Sequence, residues 1–169
     1  MYEKSVDLLK KAVSDELSAV HQYMYFHFHC DDQGLDLLAG LFRRTAIEEM
    51  MHIERLAERI LFLKGDVEMK PSAEVETIQE IKEMLNRAKQ LEEESIRDYN
   101  NAAVACGADS NTRKLFESLV MDEERHFRQY DDERNNIKRY GDDYLAQQSM
   151  ERSRNVASAA AAVTPKGAA

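Results

Sequence analysis

The stretch that decides the fold is residues 48–63, EEMMHIERLAERILFL, in which apolar residues recur at steps of three and four. This spacing lines apolar side chains along one side of an α-helix. Within the stretch, Glu49 and His52 stand three residues apart, a step that places both side chains on one helix face. The same pattern, Glu123 with His126, recurs in a second long amphipathic stretch. Two long helices therefore each present a carboxylate and an imidazole on one face.

Outward from these residues, the apolar period predicts four long helices, at about residues 5–32, 35–64, 78–106 and 110–140. A glycine follows each of them, and glycine is the residue that most often ends a helix: Gly34, Gly65, Gly107 and Gly141. The first and third connections are short, which makes the joined helices antiparallel neighbours, whereas residues 65–77 can retrace most of the bundle. The sequence predicts an all-α four-helix bundle with one long crossover between its second and third helices.

The C-terminal part is predicted to add a short fifth helix, at about residues 142–152, and then a mobile Ala-rich tail at residues 153–169, where no amphipathic period is present. The chain up to residue 152 is thus expected to form one domain. Cys30 and Cys106 form no CxxC pair and suit a reducing compartment. We expect no disulfide between them, because the topology sends them to opposite ends of the bundle.

Composition and charge exclude several classes of function. Charged residues make up 33% of the chain, and there are only six glycines and two prolines, so a strand-rich fold is nearly excluded. The formal net charge of −9 repels phosphate backbones, so no nucleic acid is expected as a partner. No apolar run approaches the roughly 20 residues that span a bilayer, and the N-terminus lacks an apolar signal segment. We therefore expect a cytoplasmic protein with no membrane partner.

Four glutamates and two histidines are predicted to converge half-way along the bundle. On each helix, the glutamate lies about thirteen residues from the helix start. Because the rise per residue is constant, the four glutamates and the two histidines come to one level. Burying these charges unpaired would be costly, and two iron or manganese ions would compensate them. A single Glu-x-x-His is more often a surface pair. Its repetition, with in-register glutamates on the other two helices, favours a dimetal site formed by Glu16, Glu49, His52, Glu92, Glu123 and His126.

Over about residues 1–150, the sequence resembles the bacterioferritins, which belong to the ferritin-like dimetal carboxylate proteins. The matching strings are Glu16 with Gln22-Tyr23, Glu49-Met50-Met51-His52, ERILFL at residues 58–63, and Asp122-Glu123-Glu124-Arg125-His126. The resemblance implies a ferritin-like bundle and a homo-oligomeric hollow shell of 24 subunits. Each subunit would act as a ferroxidase that oxidises Fe(II) with O2 or H2O2, and the shell would store ferric mineral. It also implies b-type haem shared at two-fold dimer interfaces, and an associated ferredoxin as redox partner.

The resemblance further assigns roles to single residues. Tyr23 matches the family tyrosine that hydrogen-bonds a metal-bridging carboxylate, and Met50 falls on the position of the family's haem methionine. The helix period supports Met50 over Met51, because Met51 lies along a charged strip. Met50 instead lies along an apolar strip, made of Ala46, Ile47, Ile53, Ala57 and Leu61.

In the expected mechanism, Glu49 and Glu123 bridge two Fe(II) ions, and the pairs that complete the two coordination spheres are Glu16 with His52 and Glu92 with His126. Two other functions remain as alternatives. A dimetal monooxygenase of the quinone hydroxylase type would need a membrane-facing apolar groove, and the polar outer faces of the helices argue against one. A DNA-protecting miniferritin would place its iron between subunits and often carries a basic tail. Here the C-terminal segment has only three basic residues, Arg152, Arg154 and Lys166.

Overall fold

The computed structural model describes residues 2–163. It describes their side chains as well, except those of residue 142 and of residues 156–163. The described residues form five α-helices and no strand: α1, Glu3–Asp32; α2, Asp36–Phe62; α3, Ile81–Ala105; α4, Ser110–Tyr140; and α5, Asp142–Val163. Helix α1 pairs with α2 and α3 pairs with α4, and the two pairs pack together as one bundle. The predicted all-α bundle with a fifth helix is confirmed. No helix in the described part of the chain is both long and apolar enough to cross a membrane.

The helix ends follow the predicted glycine positions, with one exception. Three of the four glycines have a positive φ, between 57° and 76°. At the end of α2, the residue with a positive φ is Lys64, at 64°, rather than the predicted stop Gly65. Close packing explains the glycine instead, because a Cβ on Gly65 would lie 2.7 Å from a methyl of Val6 and 2.9 Å from a methyl of Ile60.

The long connection between α2 and α3 runs along α1, as the predicted crossover requires. Ser72 N donates a hydrogen bond to Ser14 O at 3.1 Å. The side chain of Gln22 exchanges two hydrogen bonds with the backbone of Glu76, at 3.0 and 2.8 Å. Helix α3 begins at Ile81 rather than near residue 78, because the carboxylate of the preceding residue caps the helix there. The crossover therefore joins two helices that run in the same direction.

A polar layer divides the apolar core into two clusters, one at each end of the bundle. The cluster at one end includes Tyr23, Phe26, Phe42 and Tyr130, and that at the other end includes Leu9, Leu56, Phe116 and Leu119. Cys30 belongs to the first cluster and Cys106 to the second. Both thiols are free and buried. Their separation to opposite ends of the bundle agrees with the predicted topology.

The fifth helix is longer than the sequence predicts. It continues to Val163 and so includes much of the segment predicted to be a tail beyond residue 152. Alanine has the highest intrinsic helix propensity, so an Ala-rich segment can be helical without an amphipathic pattern. The helix lies against α2 and α4, where Tyr144 Oη donates a hydrogen bond to the Glu133 carboxylate at 2.6 Å. The rest of the predicted tail, residues 164–169, lies outside the described residues, and the domain boundary at residue 152 stays a prediction.

Candidate metal centre

The polar layer between the two core clusters is formed by the six residues singled out from the sequence. Helices α1 and α3 each contribute a glutamate from the middle of their apolar stripe, and α2 and α4 each contribute a glutamate and a histidine one helical turn apart. All six residues are at most 3% exposed: Glu16, Glu49, His52, Glu92, Glu123 and His126. The structure therefore brings together every predicted ligand at one level of the bundle.

The six side chains form two overlapping groups that could each hold one metal ion. One group consists of Glu16, Glu49, His52 and Glu123, and the other of Glu49, Glu92, Glu123 and His126. Within each group, the potential ligand atoms all lie within 4.8 Å of one another. Glu49 and Glu123 belong to both groups, so each has one carboxylate available to two neighbouring ions. These two glutamates are the ones expected from the sequence to bridge the ions, and that role stays a prediction.

Both imidazoles direct Nδ1 towards the carboxylates. His52 Nδ1 lies 2.7 Å from Glu49 Oε2 and 3.1 Å from Glu16 Oε1. His126 Nδ1 lies 3.1 Å from Glu49 Oε1 and 3.6 Å from Glu92 Oε2. The two rings stack with their centroids 6.1 Å apart. The Nδ1 atoms are therefore the nitrogens available for a metal.

Several buried atoms of the cluster lie close to charged neighbours but make no hydrogen bond of good geometry among the described residues. They are both carboxylate oxygens of Glu49, Oε1 of Glu123 and Nδ1 of His126. An unsatisfied buried polar atom costs about 1–3 kcal/mol, and more when it is charged. All of these atoms are ligands that a divalent iron or manganese ion accepts. The cluster thus has the donor atoms and the unmet bonding capacity of a dimetal site.

Burial and mutual repulsion raise the pKa values of the terminal glutamates. The pKa of Glu16 lies well above its ordinary value of 4.5, because burial and the charges of Glu49 and Glu123 disfavour ionisation. Burial, followed by the charge of Glu123, raises the pKa of Glu92 to about 8. Burial lowers the pKa of His52, but hydrogen bonds with the surrounding carboxylates outweigh it and raise the pKa overall. The metal-free cluster therefore holds protons in the positions that cations would take.

Two buried tyrosines hold the terminal glutamates from across the bundle. Tyr23 on α1 donates a hydrogen bond to Glu92 Oε1 on α3, and Tyr99 on α3 donates one to Glu16 Oε1 on α1 at 2.5 Å. The resemblance implied that Tyr23 contacts a carboxylate that bridges both metals. The structure instead places it on Glu92, which belongs to only one of the two metal groups. The helix crossing decides this, because the phenol of α1 reaches the glutamate of α3.

Tyr99 was not among the residues predicted from the sequence, although a signal was present. Each tyrosine follows the glutamate of its own helix at the same seven-residue step, from Glu16 to Tyr23 and from Glu92 to Tyr99. Burial, and then the neighbouring carboxylates, raise the pKa of both phenols well above 10.0. Both phenols therefore stay protonated and act as hydrogen-bond donors.

Two acidic residues on the outer side of the histidines were also missed. Asp122 Oδ2 lies 3.3 Å from His52 Nε2, and Glu48 Oε2 lies 2.7 Å from His126 Nε2. A carboxylate at Nε2 favours the tautomer that carries its proton there and leaves Nδ1 free for a metal. Each acid immediately precedes the glutamate of a Glu-x-x-His motif, so its position in the sequence was the available signal.

Comparison with known proteins identifies the family. Residues 6–140 match the ferritin-like domain family. The bacterioferritin of Desulfovibrio desulfuricans is 34% identical over 145 residues, which cover 85% of this chain and 81% of that protein. The bacterioferritin of Rhodobacter capsulatus is 32% identical over 126 residues, which cover 73% of this chain and 78% of that protein. The chain belongs to the bacterioferritin family.

A bacterioferritin of known structure has the same fold. The X-ray structure of the Desulfovibrio desulfuricans bacterioferritin, which describes that protein's diiron site in different catalytic states, matches with a TM-score of 0.86 and 33% identity. The match covers 88% of each chain. In the present bacterioferritin the whole candidate cluster comes from one chain, unlike the site between subunits expected of a miniferritin.

Met50 of this bacterioferritin lies outside the cluster, on the outer surface of α2. Its side chain is 49% exposed, and that of Met51 is 53% exposed. The apolar strip predicted along Met50 is narrower than expected, because two of its members, Ala46 and Ile53, are buried in the core. The exposed large members are Ile47 and Leu61.

Proposed function

We propose that this bacterioferritin is an iron-storage protein that acts as a ferroxidase at the six-residue cluster. The observation that carries the proposal is the pair of overlapping groups of buried carboxylates and imidazoles, whose shared glutamates have oxygens without a hydrogen-bond partner. Four ionised carboxylates balance the four positive charges of two Fe(II) ions. The assigned ligands are Glu49 and Glu123 as bridges, Glu16 with His52 at one ion, and Glu92 with His126 at the other.

Two Fe(II) ions bound together supply the two electrons that O2 or H2O2 takes up, and the ferric product is stored as mineral. The chain's own residues prepare this event. Tyr23 and Tyr99 each hold one terminal glutamate by a hydrogen bond, which keeps a carboxylate oxygen directed at the cluster. Glu48 and Asp122 keep Nδ1 of each histidine free. The apolar clusters above and below restrict water to the polar layer.

The assembly is part of the same proposal. We expect a hollow shell of 24 copies in the cytoplasm. The net charge of −9 on each chain of this shell would attract Fe(II). A b-type haem would lie between two-fold related copies, held by the thioether of Met50. The half-exposed Met50 and the neighbouring exposed apolar residues of α2 supply a soft ligand and an apolar surface for it. A ferredoxin is the expected redox partner for release of iron.

Rapid mixing of Fe(II) with O2 and with H2O2, followed by absorbance of the ferric product, tests the ferroxidase assignment. The wild type should oxidise about two Fe(II) per subunit in a fast phase, and Glu49→Ala should lose that phase because both ions share this carboxylate. Glu54→Ala is the matched control, since Glu54 is an exposed glutamate of the same helix. A wild-type fast phase in Glu49→Ala would contradict the assignment.

Native mass spectrometry tests the assembly and separates the alternatives. A mass of about 24 subunits is the expected result for a storage shell. A smaller shell would favour the miniferritin alternative, and a monomer or dimer would favour a monooxygenase.

A further inference from the structure

An ion network outside the cluster joins the outer nitrogens of both histidines. Glu48 contacts Nε2 of His126, and Asp122 contacts Nε2 of His52, at 2.7 and 3.3 Å respectively. One guanidinium nitrogen of Arg125, Nη2, lies 2.7 Å from Glu48 Oε2 and 3.1 Å from Asp122 Oδ1. A single cation therefore links carboxylates that come from two helices and that each hold one imidazole.

We propose that Arg125 is a positioning residue for both metal positions of the cluster, acting through Glu48 and Asp122. The proposal rests on the dimetal site described above. It concerns a residue that forms no ion pair with any of the six candidate ligands. A carboxylate bound to a guanidinium keeps a fixed orientation. The imidazole that donates to this carboxylate then keeps its own ring orientation, with Nδ1 towards the cluster.

The contacts of Arg125 differ from those of an ordinary surface ion pair. Both of its carboxylate partners also face buried imidazoles, whose side chains are at most 4% exposed. The partners themselves are partly exposed, at 39% for the Glu48 side chain and 33% for that of Asp122. Without the guanidinium, either carboxylate could rotate towards water and leave its imidazole unsupported. The arginine thus connects a solvent-exposed contact to the orientation of two buried ligands.

The network also predicts which metal position depends more on Arg125. Glu48 has no cationic partner other than Arg125 and His126 among the described residues. Asp122 has a further contact with Arg55, whose Nη1 lies 3.5 Å away. Loss of Arg125 should therefore affect the position that contains His126 more than the one that contains His52.

Co(II) binding to the metal-free protein tests the proposal, because the visible absorption of bound Co(II) reports ligand geometry without any oxidation. The wild type should bind two Co(II) per subunit. In Arg125→Ala, one of the two should bind roughly tenfold more weakly, at the low end of the loss that follows removal of an outer partner of a metal ligand. Arg125→Lys keeps the positive charge and should restore most of the affinity.

Two sets of variants separate positioning from a general structural effect. Arg128→Ala is the matched control, since Arg128 is an exposed arginine of α4 without an ion pair among residues 2–141 and 143–155. In a His52→Ala background, which leaves only the position with His126, Arg125→Ala should cause the whole roughly tenfold loss of Co(II) affinity. In a His126→Ala background, which leaves the position with His52, it should cause a smaller loss, because Arg55 also contacts Asp122.

The outcomes distinguish this inference from the function on which it rests. Equal Co(II) affinities in Arg125→Ala and Arg128→Ala would overturn the role of Arg125 and leave the metal site intact. Equal losses in both histidine backgrounds would also overturn the predicted dependence. Failure of the wild type to bind any Co(II) would instead overturn the metal site itself.

Discussion

Replacing Glu92 by glutamine should make the metal-free protein less sensitive to rising pH. Burial and the charge of Glu123 raise the pKa of Glu92 from its ordinary 4.5 to about 8. The protonated acid is thus favoured by folding, so its stabilising contribution is complete below pH 4.5 and is lost as pH rises towards 8. Each pH unit in that window costs roughly 1 kcal/mol, which amounts to about 2–3 kcal/mol between pH 5 and pH 7. Glutamine cannot ionise, yet its amide oxygen can still accept the hydrogen bond from Tyr23.

Urea unfolding of the metal-free proteins, followed by far-UV circular dichroism at pH 5, 6 and 7, measures this effect. The free energy of unfolding of Glu92→Gln should increase relative to that of the wild type by about 2–3 kcal/mol across the series. Other titrating groups are shared by both proteins and cancel in the difference. Glu93→Gln, at an exposed neighbouring position of α3, is the control and should show no trend. A difference between Glu92→Gln and wild type that does not change with pH would refute the reasoning.

Three further predictions concern other parts of the molecule. Tyr99→Phe removes the donor to Glu16 and should slow Fe(II) oxidation roughly tenfold while far-UV circular dichroism stays unchanged; an unaltered rate would show that the hydrogen bond has no role. Met50→Leu should abolish the spectrum of bis-thioether haem in the reconstituted protein and Met51→Leu should not, whereas the reverse result would exclude the proposed ligand. Gly65→Ala should lower the free energy of unfolding in urea by about 1–3 kcal/mol, because the new Cβ would lie 2.7 Å from a methyl of α1. Unchanged stability would mean that the chain shifts there at no cost.

The sequence was sufficient for the helices, the crossover and the six clustered residues because each depends on a local and regular geometry. A three-residue step places Glu49 and His52 on one face whatever the helix packs against. The constant helical rise likewise brings Glu16 and Glu92 to the level of the two motifs. Where local regularity was weak, the prediction failed. The Ala-rich segment lacks an amphipathic pattern, and its helix to Val163 depends on intrinsic propensity instead.

Only the tertiary structure decided which side chains meet between helices. The sequence placed Tyr23 and Tyr99 on apolar stripes, but the rotation and separation of α1 and α3 direct each phenol to the glutamate of the other helix. The same holds for Arg125, which from the sequence alone would be an ordinary charged residue on the solvated surface. Its contacts with both outer carboxylates arise because α2 and α4 lie side by side at that level. Sequence periodicity defines the face on which a residue lies, whereas hydrogen bonds depend on distances of a few ångströms across the bundle, and these are set by the packing of all the side chains together.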